Sequence, residues 1–198
     1  MRLIHKYSNA FLLCFASFAW PLSVMAQNAK IDSLNEVLKI VREDTSKVKT
    51  LNNLSLQYIN KTNYEKALGY AEMALALAKK INSTAEKKVA KVAKKNMAIA
   101  LNHLGSIYKN TGNYKGALEK YFAALLIKEE LGYQKGIASS HNAIGVVYEF
   151  QGEFTKAHEE YLRSLKVYEK IQQPDGKFGD KKGIANSHNN IGNVYFSI

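Results

Sequence analysis

The stretch LGSIY at residues 104–108 decides the fold, because the chain repeats it. It recurs as IGVVY at 144–148 and as IGNVY at 191–195, and a weaker copy, LSLQY, lies at 54–58. In each copy an apolar residue is followed by a small one, and a tyrosine stands three residues after the small residue. A motif that recurs every 40 to 50 residues indicates structural units that stack on one another.

A second pattern follows each of the first three copies. A short polar turn leads to an aromatic residue, then an alanine three residues later, and further small or aromatic residues four and seven residues after the alanine. The three sets are Tyr64, Ala67, Ala71 and Ala74; Tyr114, Ala117, Tyr121 and Ala124; and Phe154, Ala157, Tyr161 and Ser164. Such spacings place side chains on one face of a helix. Each unit is therefore predicted to contain two helices joined by a tight turn.

The two patterns in this order resemble the tetratricopeptide repeat, which carries apolar-Gly-x-x-Tyr on one helix and Ala-x-x-x-Phe on the next. The resemblance covers residues 44–198. It implies an all-α solenoid of about three and a half stacked helical hairpins. The repeats are predicted at residues 44–82, 84–133, 135–173 and, incomplete, 183–198.

Two departures from the family pattern refine this resemblance. The closing proline is absent, and Leu51, Leu101, His141 and His188 stand where the family has tryptophan. The spacing also exceeds the usual length of about 34 residues. Repeats lengthened in this way are similar to those in the exported N-terminal regions of bacterial signalling proteins.

Small residues are expected where the two helices of a hairpin approach closely. Gly105 and Gly145 fit that role, and the tyrosines are expected to fill the adjoining space. Gly112 and Gly152 are placed where a helix must stop and turn.

The first 26 residues have the order of a secretory signal peptide. Arg2 and Lys6 form a basic start, an apolar run covers 11–20, and small residues lead to Ala26. The run is shorter than the roughly 20 residues of a membrane span. We therefore expect an exported protein, periplasmic or secreted, with membrane association if the segment stays uncleaved. Cleavage after Ala26 would remove Cys14, the sole cysteine, and with it disulfides and thiol chemistry.

Three flanking segments complete the chain. Residues 27–43 place Ile31, Leu34, Leu38 and Val41 on one face and are predicted to form an N-terminal capping helix. Ser83-Thr84-Ala85-Glu86 has the form of a capping box, which predicts a long, lysine-rich helix that begins there and runs to Asn110. Residues 172–183 are predicted to form an enlarged loop.

No catalytic or metal-binding pattern stands out. His141 and His188 occupy equivalent repeat positions, which indicates a repeated helix contact, and the chain has no HExxH, phosphate loop or serine elbow. We predict no enzyme activity and no cofactor. The formal charge of +11 would suit nucleic acid, but predicted export and the lack of a recognition motif argue against it.

Asparagine recurs two residues before the apolar residue of each repeated motif, and we call this set the asparagine ladder: Asn52, Asn102, Asn142 and Asn189. In the resembled family this side of the first helix lines the concave groove, where carboxamides can grip a peptide backbone. Further groove positions are Ser106, Lys109, Val146 and Glu149. Their mixed character does not specifically predict an acidic peptide as ligand. The alternative, asparagine as a helix-packing residue, stays open.

The predicted function is a scaffold that binds a peptide or helix of a partner protein in its concave groove. The alternative is the sensory input region of a truncated membrane signalling protein, such as a histidine kinase, a cyclase or a transcription regulator. The incomplete last repeat also leaves end-to-end self-association open.

Overall fold

A computed structural model describes residues 28–171, 177 and 179–195. The predicted signal peptide and half of the predicted loop at 172–183 lie outside these residues. The chain divides into two units, Met1–Val41 and Arg42–Ile198. In the first unit, helix α1 covers 28–40, and Ile31, Leu34 and Leu38 are less exposed than Val37 and Ile40. Its capping role stays a prediction.

The second unit is built from helical hairpins. Its helices are α2 (Thr45–Asn60), α3 (Tyr64–Thr84), α4 (Lys87–Asn110), α5 (Tyr114–Glu130), α6 (Gln134–Phe150), α7 (Phe154–Lys170) and α8 (Lys181–Tyr195). Each helix packs against the next along the chain, so that α2 with α3, α4 with α5 and α6 with α7 form three hairpins. The part of the chain that is described holds no strand. The all-α solenoid is confirmed.

The turns inside the hairpins follow from local chemistry. Gly112 and Gly152 have φ angles of 82° and 73°, in the left-handed region that glycine tolerates, as the sequence predicts. Asn113 then caps α5, because its side chain accepts a hydrogen bond from the Gly116 backbone N–H over 2.9 Å. In the first hairpin, Thr62 stands in the place of Gly112 and adopts a φ of 56°.

Glycine and tyrosine set the spacing within two hairpins. A Cβ on Gly105 would lie 2.7 Å from Tyr121 Cε1, and one on Gly145 would lie 2.6 Å from Tyr161 Cε1. The predicted close approach is thus confirmed, since such a side chain would overlap the ring. In the first hairpin the equivalent Ser55 is buried and donates a hydrogen bond to the Ala67 carbonyl oxygen over 3.0 Å.

The predicted capping box at 83–86 is wrong. Helix α3 runs to Thr84, and the Ser83 and Thr84 hydroxyls each donate to the Lys80 carbonyl oxygen, at 2.8 Å and 3.0 Å. The two hydroxyls therefore bond back to a carbonyl of α3 and cap no N–H of α4. Helix α4 starts after Glu86 with no side-chain cap, although its predicted length and its end at Asn110 are confirmed.

Successive hairpins are not joined equally. The first helices α2 and α4 pack closely, and α6 contacts α8, whereas α4 and α6 scarcely touch within the described residues. The second and third hairpins are held together instead through α5 and α6. This arrangement leaves a gap between α4 and α6.

The last described helix has an exposed side. Tyr195 is 66% exposed, and its ring meets the His158 ring edge-on at a centroid distance of 5.2 Å. Ile191 packs partly against the cluster around Tyr161. A Cβ on Gly192 would meet no atom within 4 Å. End-to-end self-association stays a prediction.

Candidate functional site

Two members of the asparagine ladder join neighbouring first helices. Asn52 is 3% exposed, and its Nδ2 donates to the Asn96 carbonyl oxygen of α4 over 3.1 Å. Asn142 Nδ2 donates to Ser187 Oγ of α8 over 3.4 Å. In this structure Asn52 therefore serves helix packing and offers no surface to a ligand. Asn142 is half-buried, and Asn189 is exposed.

Asn102 lies on α4 at the joint where α4 and α6 scarcely touch. Its Oδ1, like that of Asn52, is buried and has no hydrogen-bond partner in the described residues. Asn102 also lines a cavity between α4 and α6, with a volume of about 290 Å³. The ladder member that faces the gap thus carries an unsatisfied acceptor beside an open space, and such an acceptor is costly in a folded protein unless a ligand or water satisfies it.

We call this space the lysine cavity. Its polar lining comes from Lys95, Asn102, Lys128, Tyr133, Lys135 and Ser139. Apolar atoms of α4 and the ring of Tyr168 complete the wall. Three lysine side chains thus line one small space.

Lys128 is the most deeply placed of these lysines. It is 4% exposed, and its Nζ donates to Ser140 Oγ over 2.6 Å. Burial lowers the pKa of its ammonium to about 8, because the charged form loses hydration. No carboxylate of the described residues lies within ion-pair distance of it.

The other two lysines of the cavity have different partners. Lys135 forms an ion pair with Asp180 over 2.6 Å, and this pair lowers the pKa of the Asp180 carboxyl. Lys95 Nζ lies 5.5 Å from the centre of the Tyr133 ring, within the range of a cation–π contact. The charge of Lys135 is therefore balanced, whereas Lys95 and Lys128 have no acidic partner in the described part of the chain.

The sequence analysis did not predict Lys128, because its candidate groove residues all lie on the first helices of the hairpins. Its register offered a signal, since Ala71, Tyr121 and Tyr161 are equivalent, and seven residues later stand Ala78, Lys128 and Tyr168. All three of these later positions are buried. A lysine at a position that is apolar or aromatic in the other repeats is unusual, and aligning the repeats with one another would have revealed it.

The remaining predicted groove residues lie along the same first helices. Ser106 bonds to the Tyr121 hydroxyl, and Glu149 accepts a hydrogen bond from the Tyr161 hydroxyl over 2.6 Å. Lys109 Nζ lies 5.0 Å from the centre of the Phe150 ring, and partial burial lowers its pKa. Val146 is half-buried against the Tyr161 cluster.

The described histidines lie in different surroundings. His141 Nδ1 lies 2.6 Å from Glu160 Oε2, whereas His188 is exposed. His103 is held in a desolvated place that lowers its pKa to about 4. Within the described ranges, no group of three or more His, Cys, Asp or Glu side chains could hold a metal ion. None of the helices there is both long and apolar enough to cross a membrane.

Comparison with known proteins identifies the family of the repeats. Residues 96–170, from within α4 to the end of α7, match the family model described as tetratricopeptide repeat. Residues 96–170 of this chain are tetratricopeptide repeats. Tetratricopeptide repeats are a scaffold fold that generally supports protein–protein interaction. No curated protein matches the sequence of this chain.

Two solved structures resemble the tetratricopeptide-repeat fold seen here. BtubC (BKLC) from P. vanneervenii matches with a TM-score of 0.63 and 18% identity over 88% of this chain. The apo form of RapI matches with a TM-score of 0.67 and 16% identity over 89% of this chain. The match covers 65% of BtubC and 45% of RapI, so this chain spans less than two thirds of either protein. At such identities the likeness is one of fold.

Proposed function

We propose that this chain is a protein-interaction scaffold that holds a segment of a partner along α4 and α6. The segment crosses the gap between these helices and places one group in the lysine cavity. Asn102 and Asn142 lie beside its path and offer carboxamide groups to its backbone.

One observation carries this proposal: the lysine cavity opens where α4 and α6 scarcely touch. Stacked repeats normally bury a continuous core between neighbours. A break in that packing beside an unsatisfied Asn102 side chain supports a binding role, because a partner can supply the missing contacts. The mouth of the cavity lies beside a second depression formed by Lys91, Lys95 and Tyr133, which extends the surface.

Site-specific photo-crosslinking tests the proposal. A photoreactive residue at position 139, which is exposed and lines the cavity, is compared with one at position 119, which is exposed on α5 and lies away from it. The expected result is a partner captured from native extract at position 139 alone. The captured protein is then purified, and its affinity is measured for the chain and for the Asn102→Ala, Asn142→Ala double variant. Equal capture at both positions, or unchanged affinity, would contradict the proposal.

Export of the protein is also part of the proposal, on the strength of the signal-peptide pattern at residues 1–26. Cell fractionation and immunoblotting test it. A shortened band outside the cytoplasm supports a free adaptor. A larger band in the membrane fraction supports the alternative, in which these repeats receive a signal for a longer sensor.

A further inference from the structure

The joint between the first and second hairpins is longer than the others. Helix α4 has 24 residues, whereas α2 has 16 and α6 has 17. All three helices end two residues after the tyrosine of the repeated motif, so the extra residues, about two turns, lie at the start of α4. Helix α3 has 21 residues against 17 in α5 and in α7, and its extra residues lie at its end. The chain therefore carries additional helix on both sides of this one joint.

The additional helix is strongly basic. We call residues 79–95 the basic joint, which contains seven lysines and one acidic residue, Glu86. The three hairpin turns, at 58–68, 108–120 and 148–160, contain six lysines and six glutamates in all. The positive charge is thus a property of the basic joint and not of the helix ends in general.

Most of this charge is unpaired within the fold. Lys94 forms an ion pair with Glu130 over 2.6 Å, and Lys80 lies 3.8 Å from Glu43. The other five lysines of the basic joint are exposed and have no ion pair in the part of the chain that the structure describes: Lys79, Lys87, Lys88, Lys91 and Lys95. Like charges held this close together repel one another, so an anionic surface opposite them is favoured.

The composition of the basic joint distinguishes between anionic surfaces. It contains no arginine and no aromatic residue, the types that read phosphates in pairs of hydrogen bonds, stack on bases and are enriched at protein interfaces. Lysine acts instead as a point charge, which suits a surface of many headgroups. Two aliphatic side chains stand exposed among the lysines, Val89 at 42% and Val92 at 45%. A lipid bilayer accepts both features, because apolar side chains can enter the acyl boundary while ammonium groups stay among the headgroups.

We propose that the basic joint binds the surface of an anionic phospholipid bilayer. The lysine ammonium groups contact the headgroup phosphates, and Val89 and Val92 face the bilayer. The contact is peripheral and centres on the first two turns of α4. It goes beyond the scaffold function, because it needs no partner protein and gives the repeats an attachment of their own to a membrane.

Vesicle flotation tests the proposal at physiological ionic strength. The chain is purified in the form that its native cells produce and is mixed with vesicles of phosphatidylcholine alone or of phosphatidylcholine and phosphatidylglycerol in equal amounts. It is expected to float with the mixed vesicles alone, because anionic lipid supplies the attraction. Equal flotation with both kinds of vesicle, or with neither, would overturn the proposal. Tighter binding to duplex DNA or to polyglutamate than to mixed vesicles would also overturn it.

Substitutions locate the contact. The double variant Lys87→Gln, Lys88→Gln is expected to bind mixed vesicles roughly twentyfold more weakly, at about fivefold for each lysine. The matched control is Lys66→Gln, Lys115→Gln, which removes the same charge from exposed lysines near the hairpin turns and is expected to leave binding unchanged. Replacing Lys87 and Lys88 by arginine should retain binding, since the charge is kept. Equal weakening by the two glutamine variants would overturn the assignment to the basic joint.

A depth measurement tests the orientation on the bilayer. Val92→Trp is compared with Leu126→Trp, at a position on α5 that is 60% exposed. Both variants also carry Trp20→Phe, which removes the natural tryptophan. Bromine-labelled lipids in the mixed vesicles are expected to quench the fluorescence at position 92 alone. No quenching at 92, or equal quenching at 126, would overturn the proposal. These measurements contain no partner protein, so they can fail while photo-crosslinking at position 139 still supports the scaffold function.

Discussion

Lys128 and Tyr168 occupy the same register position on the second helices of successive hairpins, and both are buried and line the lysine cavity. A neutral ring and an ammonium thus share one packing role. The energetic difference between them is large, because a charge in that place loses hydration that a single hydroxyl of Ser140 does not replace.

The stability of the protein is expected to depend on pH through Lys128. Its pKa is lowered from 10.5 to about 8 on folding, so the unfolded chain binds more protons between these values, and stability rises with pH there. From pH 7 to 9.5 the gain is about 2 kcal/mol in the free energy of unfolding. Urea unfolding at these two pH values measures it.

The Lys128→Met variant is the control for this dependence. It is expected to be more stable than the natural chain at pH 7, by roughly 2–3 kcal/mol, and to lose the rise towards pH 9.5. Measurements stop below pH 10, since burial raises the pKa of Tyr121 to about 12 and that of Tyr168 above its usual value. Such groups lose their stabilising contribution as pH rises above 10. If the variant showed the same pH dependence of stability as the natural chain, Lys128 would not be the group that causes it.

Gly145 is expected to tolerate no larger side chain. Gly145→Leu should destabilise the protein by roughly 1–3 kcal/mol, because the new Cβ would overlap the Tyr161 ring. Gly192→Leu is the matched control, since it occupies the same motif position on α8, where no atom lies within 4 Å of a Cβ. Thermal unfolding followed by circular dichroism should show a lower midpoint for the first variant alone. If both variants lost the same stability, the cost would come from the backbone conformation at the glycine and not from overlap with the Tyr161 ring.

Acid is expected to weaken the fold through His103. Desolvation lowers its pKa from 6.5 to about 4, so the neutral ring is favoured on folding, and stability falls as pH decreases below 6.5. Between pH 7 and pH 5 we expect a loss of roughly 1–2 kcal/mol from this group. His103→Leu should flatten that part of the profile in urea unfolding. A loss of the same size in the variant would assign the effect to other groups.

The structure within each hairpin could be predicted from the sequence, but the packing between hairpins could not. The small residues, tyrosines and turn glycines act within one hairpin, so patterns such as Gly145 to Tyr161 report contacts that a single repeat defines. The gap between α4 and α6 depends on how whole hairpins stack, which no local pattern encodes. The capping box at 83–86 failed for a related reason, because the same Ser and Thr side chains can close one helix or open the next.

Asn52 and Asn102 are expected to contribute differently to stability. Each has a buried Oδ1 without a partner in the described residues, but Asn52 Nδ2 also donates a hydrogen bond to α4. Asn52→Ala removes the hydrogen bond to the Asn96 carbonyl between α2 and α4 and leaves a buried void, so it should cost about 1–2 kcal/mol. Asn102→Ala occupies the equivalent place but removes a buried acceptor that has no partner, so its cost should be near zero. The two variants are compared by urea unfolding at pH 7. Equal destabilisation would show that Asn102 makes a stabilising hydrogen bond that is not seen in this structure. Both asparagines would then serve helix packing, and the proposed role of Asn102 in ligand binding would be contradicted.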